Sequence, residues 1–159
     1  MASGSFGTIL EVLLRHEVEF VVVGGVSAVL QGAPFLTHDL DIVHHRAPDN
    51  VRRLEAALRE LDARYRMGGQ RPAESHLASG GHQLLTTRFG PLDVLGEIEG
   101  GRRYPDLASE SEWMQIAEGR ILVLKLERYV EWKAASQHPK DLAAMPVLRA
   151  ALEEKRRRG

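Results

Sequence analysis

The chain has 159 residues, of which 43% are hydrophobic and 27% are charged, and these values fit one folded domain with a substantial core. Its 21 basic and 22 acidic side chains leave a net charge of -1, which argues against a surface built throughout to coat nucleic acid or an anionic membrane. The absence of cysteine excludes disulfides, thiolate catalysis and zinc–thiolate sites. The first residues lack the basic and apolar blocks of a signal peptide, and no apolar run approaches the roughly 20 residues that span a bilayer. We therefore expect a cytoplasmic protein without a membrane partner.

The N-terminal part of the chain predicts a helix, a strand and a second helix in turn. Ser5 can cap a helix whose apolar residues recur every three or four positions. The run 20–23 is rich in valine, a β-branched residue that favours buried strands. Gly24 and Gly25 end this strand, and the short helix that follows is expected to close at Gly32.

An acidic strand and an amphipathic helix are expected next. Residues 37–43 alternate between polar and apolar types, which predicts a strand with Asp39 and Asp41 on one face. Asp49 can cap the following helix, which carries apolar residues on one side and charged residues largely on the other. The segment 67–81 is rich in glycine and polar residues and is expected to be a long loop.

The second half of the chain predicts three strands and a helical end. Strands over 82–89 and 92–98 are expected to form a hairpin through a Gly-Pro turn, and 121–124 is expected to be a last short strand. Two helices follow, with an interruption near 138–139, and the basic run 155–158 is expected to be a frayed tail.

This order of elements predicts an α/β (α+β) fold in which helices flank a mixed, mostly antiparallel sheet. We expect a single domain over 1–159. Its sheet-containing core is expected within 1–106, and a mainly helical part within 107–159.

The residues that indicate a chemical function are the glycine pair and the two aspartates of the acidic strand. Asp39 and Asp41 are two positions apart in a strand, so their side chains project from one face with Cα atoms about 6.6 Å apart. Neighbouring carboxylates raise each other's pKa, and desolvation adds to the cost of ionising them. A divalent cation would remove this conflict, and Mg²⁺ prefers the oxygens of carboxylates and phosphates. Asp93, within another apolar strand, is a third candidate ligand across the sheet.

The glycine pair itself predicts an anion site. Gly24 and Gly25 follow a strand and open a helix, so backbone N–H groups point outward there, and the missing Cβ lets a phosphate approach. Ser27 lies in the first turn, where its hydroxyl could donate to the same phosphate. An anion cradle beside metal-binding acids is what transfer from a nucleoside triphosphate requires.

These residues resemble the nucleotidyltransferase fold superfamily related to DNA polymerase beta, and above all the small bacterial nucleotidyltransferases of toxin–antitoxin and abortive-infection systems. In that group a strand, a glycine pair and a helix lead to a Thr-x-Asp-x-Asp strand, which Thr37 to Asp41 match. A lysine on a C-terminal helix and a later Lys-Asp-Leu triplet are matched by Lys133 and by 140–142. The resemblance extends over roughly 18–148 and implies a nucleotidyltransferase-like fold with C-terminal helices.

The resemblance implies an enzyme that transfers a nucleoside monophosphate from a nucleoside triphosphate to an acceptor hydroxyl and releases pyrophosphate. It implies two Mg²⁺ ions, or Mn²⁺, with Asp39, Asp41 and Asp93 as metal ligands and catalytic residues. Asp93 would bind the ion that activates the acceptor hydroxyl, or act as the general base. The nucleotide, with ATP among the candidates, would be bound by Gly24, Gly25, Ser27, Lys133 and Lys140.

The C-terminal motifs also carry departures from the family pattern. Lys133 and Lys140 are seven residues apart and would share one face, turned to the triphosphate, if the helix continued through Pro139. Related sequences often have two arginines and a further acid where this chain has Phe35, His138 and Ala144. These departures favour an alternative function, a catalytically degenerate member of the fold that serves as a binding or antitoxin-like partner.

Simpler interpretations exist for several of these features. The two aspartates of the acidic strand could face solvent at a sheet edge, the glycine pair could be a plain turn, and Ser27 an ordinary first-turn residue. The basic run 155–158 could contact nucleic acid. A transition-metal site is another interpretation of the histidines near the acidic strand, His38, His44 and His45. The acceptor (RNA, protein or a small molecule) and a cognate protein partner stay open.

Overall fold

The computed structural model describes residues 5–159, which form one seven-stranded sheet with helices packed against it. The strands in chain order are β1 (Phe20–Val23), β2 (Leu40–His44), β3 (Arg64–Tyr65), β4 (His82–Thr87), β5 (Gly90–Leu95), β6 (Ser111–Ile116) and β7 (Gly119–Leu124). The α-helices are α1 (Ser5–Arg15), α2 (Gly24–Leu30), α3 (Pro48–Glu60), α4 (Glu74–Leu77), α5 (Tyr104–Ala108), α6 (Leu126–Ala135) and α7 (Pro139–Arg158). Within residues 5–159, no helix combines the length and apolarity needed to cross a bilayer.

The sheet is mixed and mostly antiparallel, which confirms the predicted fold class. Its strand order is β3-β4-β5-β2-β1-β7-β6. The pairs β1–β2, β3–β4, β4–β5 and β6–β7 are antiparallel, whereas β1–β7 and β2–β5 are parallel. The end of β1 at Val23 therefore lies beside the start of β2, opposite Asp41.

Strand β1 is buried on both faces, which explains its uninterrupted apolar sequence. Val22 belongs to the larger core cluster, together with apolar residues of α1 and α3. Val21 and Val23 belong to the cluster on the opposite face, with Leu107 of α5 and Leu124 of β7. A strand with core on both sides holds the glycine pair that follows it in a fixed place.

The C-terminal helix is anchored to its end, so the expectation of a frayed basic tail is wrong. α7 runs to Arg158. Lys155 Nζ donates to Gln31 Oε1 at 2.8 Å and to Glu127 Oε1 at 3.0 Å, and it lies 2.8 Å from Glu112 Oε1. These contacts tie the last turns of α7 to the end of α2, to α6 and to β6.

Three local boundaries differ from the sequence predictions. The acidic strand begins at Leu40 rather than at residue 37, so Asp39 precedes it. The hairpin turns at 88–89, and β5 already begins at Gly90. The expected loop 67–81 contains the short helix α4.

The sheet continues beyond residue 106, where the sequence placed the end of the sheet-containing core. β6 and β7 lie beyond it, and β7 pairs with the central strand β1. The sheet therefore continues to Leu124, and the helical part begins only at Leu126.

Candidate active site

Two of the predicted acidic residues lie side by side at the centre of the sheet. β2 and β5 are parallel neighbours, and their register places Asp41 directly opposite Asp93. Residues in register on paired strands project from the same face about 4.8 Å apart, so the two carboxylates meet. We call Asp41 and Asp93 the acidic pair. Asp39 is exposed and lies one residue before β2, outside the pair.

The acidic pair carries an electrostatic conflict. The pKa of Asp41 is raised to about 7, chiefly by burial, then by the charge of Asp93 and the hydrogen bond with it, with Asp39 adding to the effect. Asp41 Oδ1 is buried and has no hydrogen-bond partner among residues 5–159. Because a buried carboxylate oxygen without a partner costs free energy, this position favours a cation.

Gly24 brings the backbone against the acidic pair. Its φ of 68° lies in the left-handed region, which glycine adopts without strain. A Cβ at this position would overlap with Asp41 Oδ2, and a Cβ at Gly25 would lie only 3.2 Å from Thr37 Oγ1. The glycine pair is therefore required by close contact with the acidic segment as well as by the turn. It lets α2 begin beside the carboxylates, where a phosphate could reach both.

Ser27 shapes this turn from within. The side chain is fully buried, and its Oγ donates to Gly24 O at 2.6 Å. The bond closes the first turn of α2 on the glycine pair. A phosphate contact through the Ser27 hydroxyl, as predicted from the sequence, would require the hydroxyl to leave this bond, whereas the fixed turn presents backbone N–H groups without any rearrangement.

A cavity of about 230 Å³ lies in front of Asp41 and Gly24. Lys133 of α6 lines the cavity, with its Nζ 3.3 Å from Asp141 Oδ1. Aromatic and acidic side chains contribute further to the wall, among them Tyr129, Trp132 and Glu99. The cavity thus connects Asp41, one member of the acidic pair, to a lysine and to two aromatic rings.

Asp141 belongs to the Lys-Asp-Leu triplet and holds Lys133 at this cavity, although the sequence did not predict it as a site residue. Ser136 Oγ donates to Asp141 Oδ2 at 2.7 Å. That hydrogen bond, together with the Lys133 ammonium, keeps the pKa of Asp141 below its ordinary value. The carboxylate is therefore charged at neutral pH and restrains the lysine in front of the glycine pair.

Lys140 lies apart from the cavity that Lys133 lines. The continuous helical face expected for the two lysines does not form, because α6 ends at Ala135 and α7 begins at Pro139. The Lys140 side chain is exposed, and its backbone N–H donates to His138 Nδ1 at 3.1 Å, so that His138 caps α7. A contact between Lys140 and a nucleotide stays a prediction.

Arg66, directly after β3, is a site residue that the sequence did not reveal. Its Nη2 forms an ion pair with Asp93 Oδ1, and its Nε donates to Leu85 O at 3.1 Å. A lone arginine in a polar segment carries no recognisable signal. Only the pairing of β3 with β4, and of β4 with β5, brings it to the acidic pair.

The histidines near the acidic strand point to different partners. His44 is buried, with Nε2 2.6 Å from Leu77 O, whereas His45 Nδ1 lies 3.1 Å from Glu19 Oε1. Across residues 5–159, no group of three or more Asp, Glu or His side chains is close enough to hold a metal ion. The predicted acids thus form a pair with Asp39 beside it, and a metal bound there would complete its coordination with water or with substrate oxygens.

Comparison with known proteins places this arrangement in a family. The family model described as aminoglycoside-2''-adenylyltransferase matches residues 6–94, which is more than half of the chain. A comparison with curated proteins gave no significant match. The structure of the lincosamide antibiotic adenylyltransferase LnuA, bound to lincomycin, is similar with a TM-score of 0.61 and 12% identity, covering 92% of this chain and 96% of that one. The protein TM1012 from Thermotoga maritima, assigned as a nucleotidyltransferase, is similar with a TM-score of 0.54 and 21% identity, covering 94% and 91% of the two chains.

The structural similarities show the fold, and they confirm the predicted nucleotidyltransferase-like architecture. The family match covers the glycine pair, Asp39 and both members of the acidic pair, and it confirms the prediction of a nucleotidyltransferase enzyme. The chain belongs to the aminoglycoside-2''-adenylyltransferase family, within the nucleotidyltransferase-fold superfamily.

Proposed function

We propose that this protein transfers the adenylyl group of ATP to a hydroxyl group of a small cationic acceptor, with Mg²⁺ or Mn²⁺ as cofactor. The observation that carries the proposal is the acidic pair. Asp41 and Asp93 are in register on neighbouring strands, and Asp41 Oδ1 is buried without a partner among the described residues. A divalent cation would supply that partner and remove the repulsion between the carboxylates.

The acidic pair would hold the metal, and Asp39 would add a carboxylate from the exposed side. Two carboxylates completed by phosphate oxygens are a usual ligand set for Mg²⁺. When bound, the metal would lower the pKa of the acceptor hydroxyl and stabilise charge on the transferring phosphoryl group. Asp93 is the candidate general base for the hydroxyl proton.

The glycine pair and Lys133 would receive the triphosphate. Gly24 and Lys133 line the same cavity as Asp41. The Lys133 ammonium would exchange its contact with Asp141 for a phosphate oxygen, a charge-assisted bond of comparable kind. The backbone at Gly25 and Ser27 would contribute N–H donors, whereas Lys140, exposed in the first turn of α7 and outside the cavity wall, would contribute only a weak attraction for the triphosphate.

The charges of the cavity wall favour a small cationic acceptor over RNA. The wall carries the carboxylates of Glu99 and Asp141 beside Trp132, and such groups bind ammonium substituents and rings. At the basic end of α7, by contrast, Lys155 pairs with Glu112 and Glu127, and Arg157 pairs with Glu153 and Glu154. The family description names an aminoglycoside acceptor, and LnuA is bound to lincomycin, so we propose an antibiotic of the aminoglycoside or lincosamide kind.

The test is transfer from ATP labelled at the α-phosphate, with Mg²⁺ and a panel of aminoglycosides and lincosamides, and with tRNA and a protein extract as other acceptors. We expect pyrophosphate and an adenylylated small molecule, identified by mass spectrometry. EDTA and the Asp93→Asn substitution should abolish the product. Asp49→Asn, which neutralises an exposed carboxylate at the start of α3, is the matched control. Label found only in RNA or protein would refute the proposed acceptor class.

A member of the fold that binds nucleotide without transferring it is the second candidate function. Phe35 packs against the cluster formed by α6 and α7, and His138 caps α7, so positions where related sequences often carry arginine serve folding here. Titration calorimetry with ATP separates the candidates from a pure protein-binding module, which would show no metal-dependent binding of nucleotide. Metal-dependent binding without any product would favour a member of the fold that binds nucleotide without transferring it, and the absence of such binding would favour the degenerate, antitoxin-like partner.

A further inference from the structure

A cation of the protein itself already contacts the acidic pair. Arg66 forms an ion pair with Asp93, and the two side chains are 36% and 18% exposed. Asp93 is therefore engaged by a guanidinium on one side and adjoins Asp41 on the other. The arginine thus pairs with the carboxylate of Asp93, while Asp41 Oδ1 stays without a partner among residues 5–159.

The backbone of β4 holds Arg66 in this place. The Arg66 backbone N–H donates to Leu84 O at 3.1 Å, and its Nε donates to Leu85 O, also at 3.1 Å. Leu84 lies directly opposite Asp93 in the register of β4 and β5. Two hydrogen bonds to adjacent carbonyls thus fix the guanidinium beside Asp93, so the ion pair is held in place by the backbone of β4.

We infer that Arg66 is a positioning residue whose guanidinium occupies the place on Asp93 that a metal ion would take, so that the ion pair and metal binding exclude each other. The inference rests on the proposed function, because the metal belongs to that function. A carboxylate oxygen that accepts from a guanidinium has less electron density for a metal, and two cations in contact with one carboxylate repel each other. Arg66 holds the acidic pair together in the metal-free protein and releases Asp93 when a metal enters.

If Arg66 and a metal ion compete for Asp93, removing the arginine strengthens metal binding, and bound metal reduces the contribution of the arginine to stability. Arg66→Gln should bind Mn²⁺ about two- to fivefold more tightly than the wild type, the range expected for a partly exposed ion pair. In EDTA the variant should melt at a lower temperature than the wild type, and saturating Mn²⁺ should shrink this difference. An arginine with a merely structural role would give the same loss of stability with and without metal.

The experiment measures Mn²⁺ binding to the full chain by electron paramagnetic resonance at about pH 8.5, where acidic side chains are largely ionised. Arg64→Gln is the matched control, because Arg64 is exposed, lies two residues away and pairs with Asp62 rather than Asp93. It should leave the affinity for Mn²⁺ unchanged. Arg66→Lys retains the charge but not the forked geometry, and its affinity should fall between those of the wild type and Arg66→Gln.

Equal affinity of the wild type and Arg66→Gln, or weaker binding by the variant, would overturn the inference even if the wild type transfers adenylyl groups. The same applies if the melting difference is unaffected by Mn²⁺. Should Arg66→Gln fail to fold, Arg66→Lys carries the comparison, and an affinity equal to that of the wild type counts against the inference. A wild type that binds no Mn²⁺, with or without ATP, would overturn the proposed function and this inference together.

Discussion

Replacing Asp41 by asparagine should stabilise the metal-free protein above neutral pH while abolishing adenylyl transfer. The two side chains have nearly the same shape, and the asparagine amide can donate to Asp93 across the paired strands. The substitution removes the negative charge that burial and Asp93 both oppose. It also removes a proposed metal ligand, so stability and activity should change in opposite directions.

The magnitude follows from the pKa of Asp41, which is 3.8 for an ordinary aspartate and about 7 in the folded protein. Below about pH 4 the carboxyl is protonated in both the folded and the unfolded chain, so it adds no pH dependence there. As the pH rises to about 7, only the unfolded chain releases the proton readily, and the metal-free fold loses stability. At about 1.4 kcal/mol per pH unit the loss reaches a limit of about 4 kcal/mol above pH 7. Because the site is partly open to solvent, we expect asparagine to recover about half, roughly 2 kcal/mol.

Urea and thermal unfolding in EDTA test this expectation. Asp41→Asn should raise the melting temperature by about 4–8 °C at about pH 8 and leave it nearly unchanged at about pH 4. Asp39→Asn, at an exposed position two residues earlier, should have a much smaller effect. Mg²⁺ should stabilise the wild type and not the Asp41 variant. A variant that is less stable than the wild type at both pH values, or a gain that is the same at both, would refute the reasoning.

Four further substitutions have expected outcomes. Gly24→Ala places a Cβ against Asp41 Oδ2 at a φ of 68°, and it should abolish transfer and lower the free energy of unfolding by about 1–3 kcal/mol in urea titrations. Lys133→Ala should raise the KM for ATP by about tenfold or more in steady-state assays, whereas Lys140→Ala should change it less than about twofold. Equal effects would contradict the proposal that Lys133, which lines the cavity, is the lysine that binds the triphosphate. Gln31→Leu leaves the buried Leu124 carbonyl and Leu126 N–H unpaired, so chemical denaturation should show a free energy of unfolding lower by about 2–4 kcal/mol. A smaller decrease would argue against the role of this side chain in joining α2 to the start of α6.

The parts of the site that the sequence could predict are those that lie on strongly apolar strands. The segments around Asp41 and Asp93 each place an aspartate among apolar residues, and the run before Gly24 is apolar throughout. Aspartates are expensive to bury, so their presence indicates chemistry without any knowledge of the pairing. The direct opposition of Asp41 and Asp93 was not predictable, because the register of parallel strands depends on the whole sheet.

Other features could not be predicted because their signal is not local. Arg66 reaches Asp93 through two successive strand pairings, neither of which leaves a mark in the sequence around the arginine. The edge strand β6 was missed because it is only partly buried and lacks a run of apolar residues. The basic end of α7 resembles a solvated tail, and only contacts such as that of Lys155 with Gln31 show that it is anchored.

Buried polar groups in this protein separate into two kinds, and the difference identifies the site. Gln31 is buried but fully bonded: it donates to two carbonyls and accepts from the Leu126 N–H and from Lys155, so its polarity serves folding. Asp41 has an unpartnered buried oxygen within the described chain, a like charge in register beside it and a cavity in front. An unpaired buried atom also occurs at His44 Nδ1, but the residue in register with His44 is Phe20, and His44 Nε2 lies against Leu77 O. A carboxylate kept in such a place destabilises the fold unless a cation joins it, which is why the proposed metal and the folding energy of this domain should be coupled.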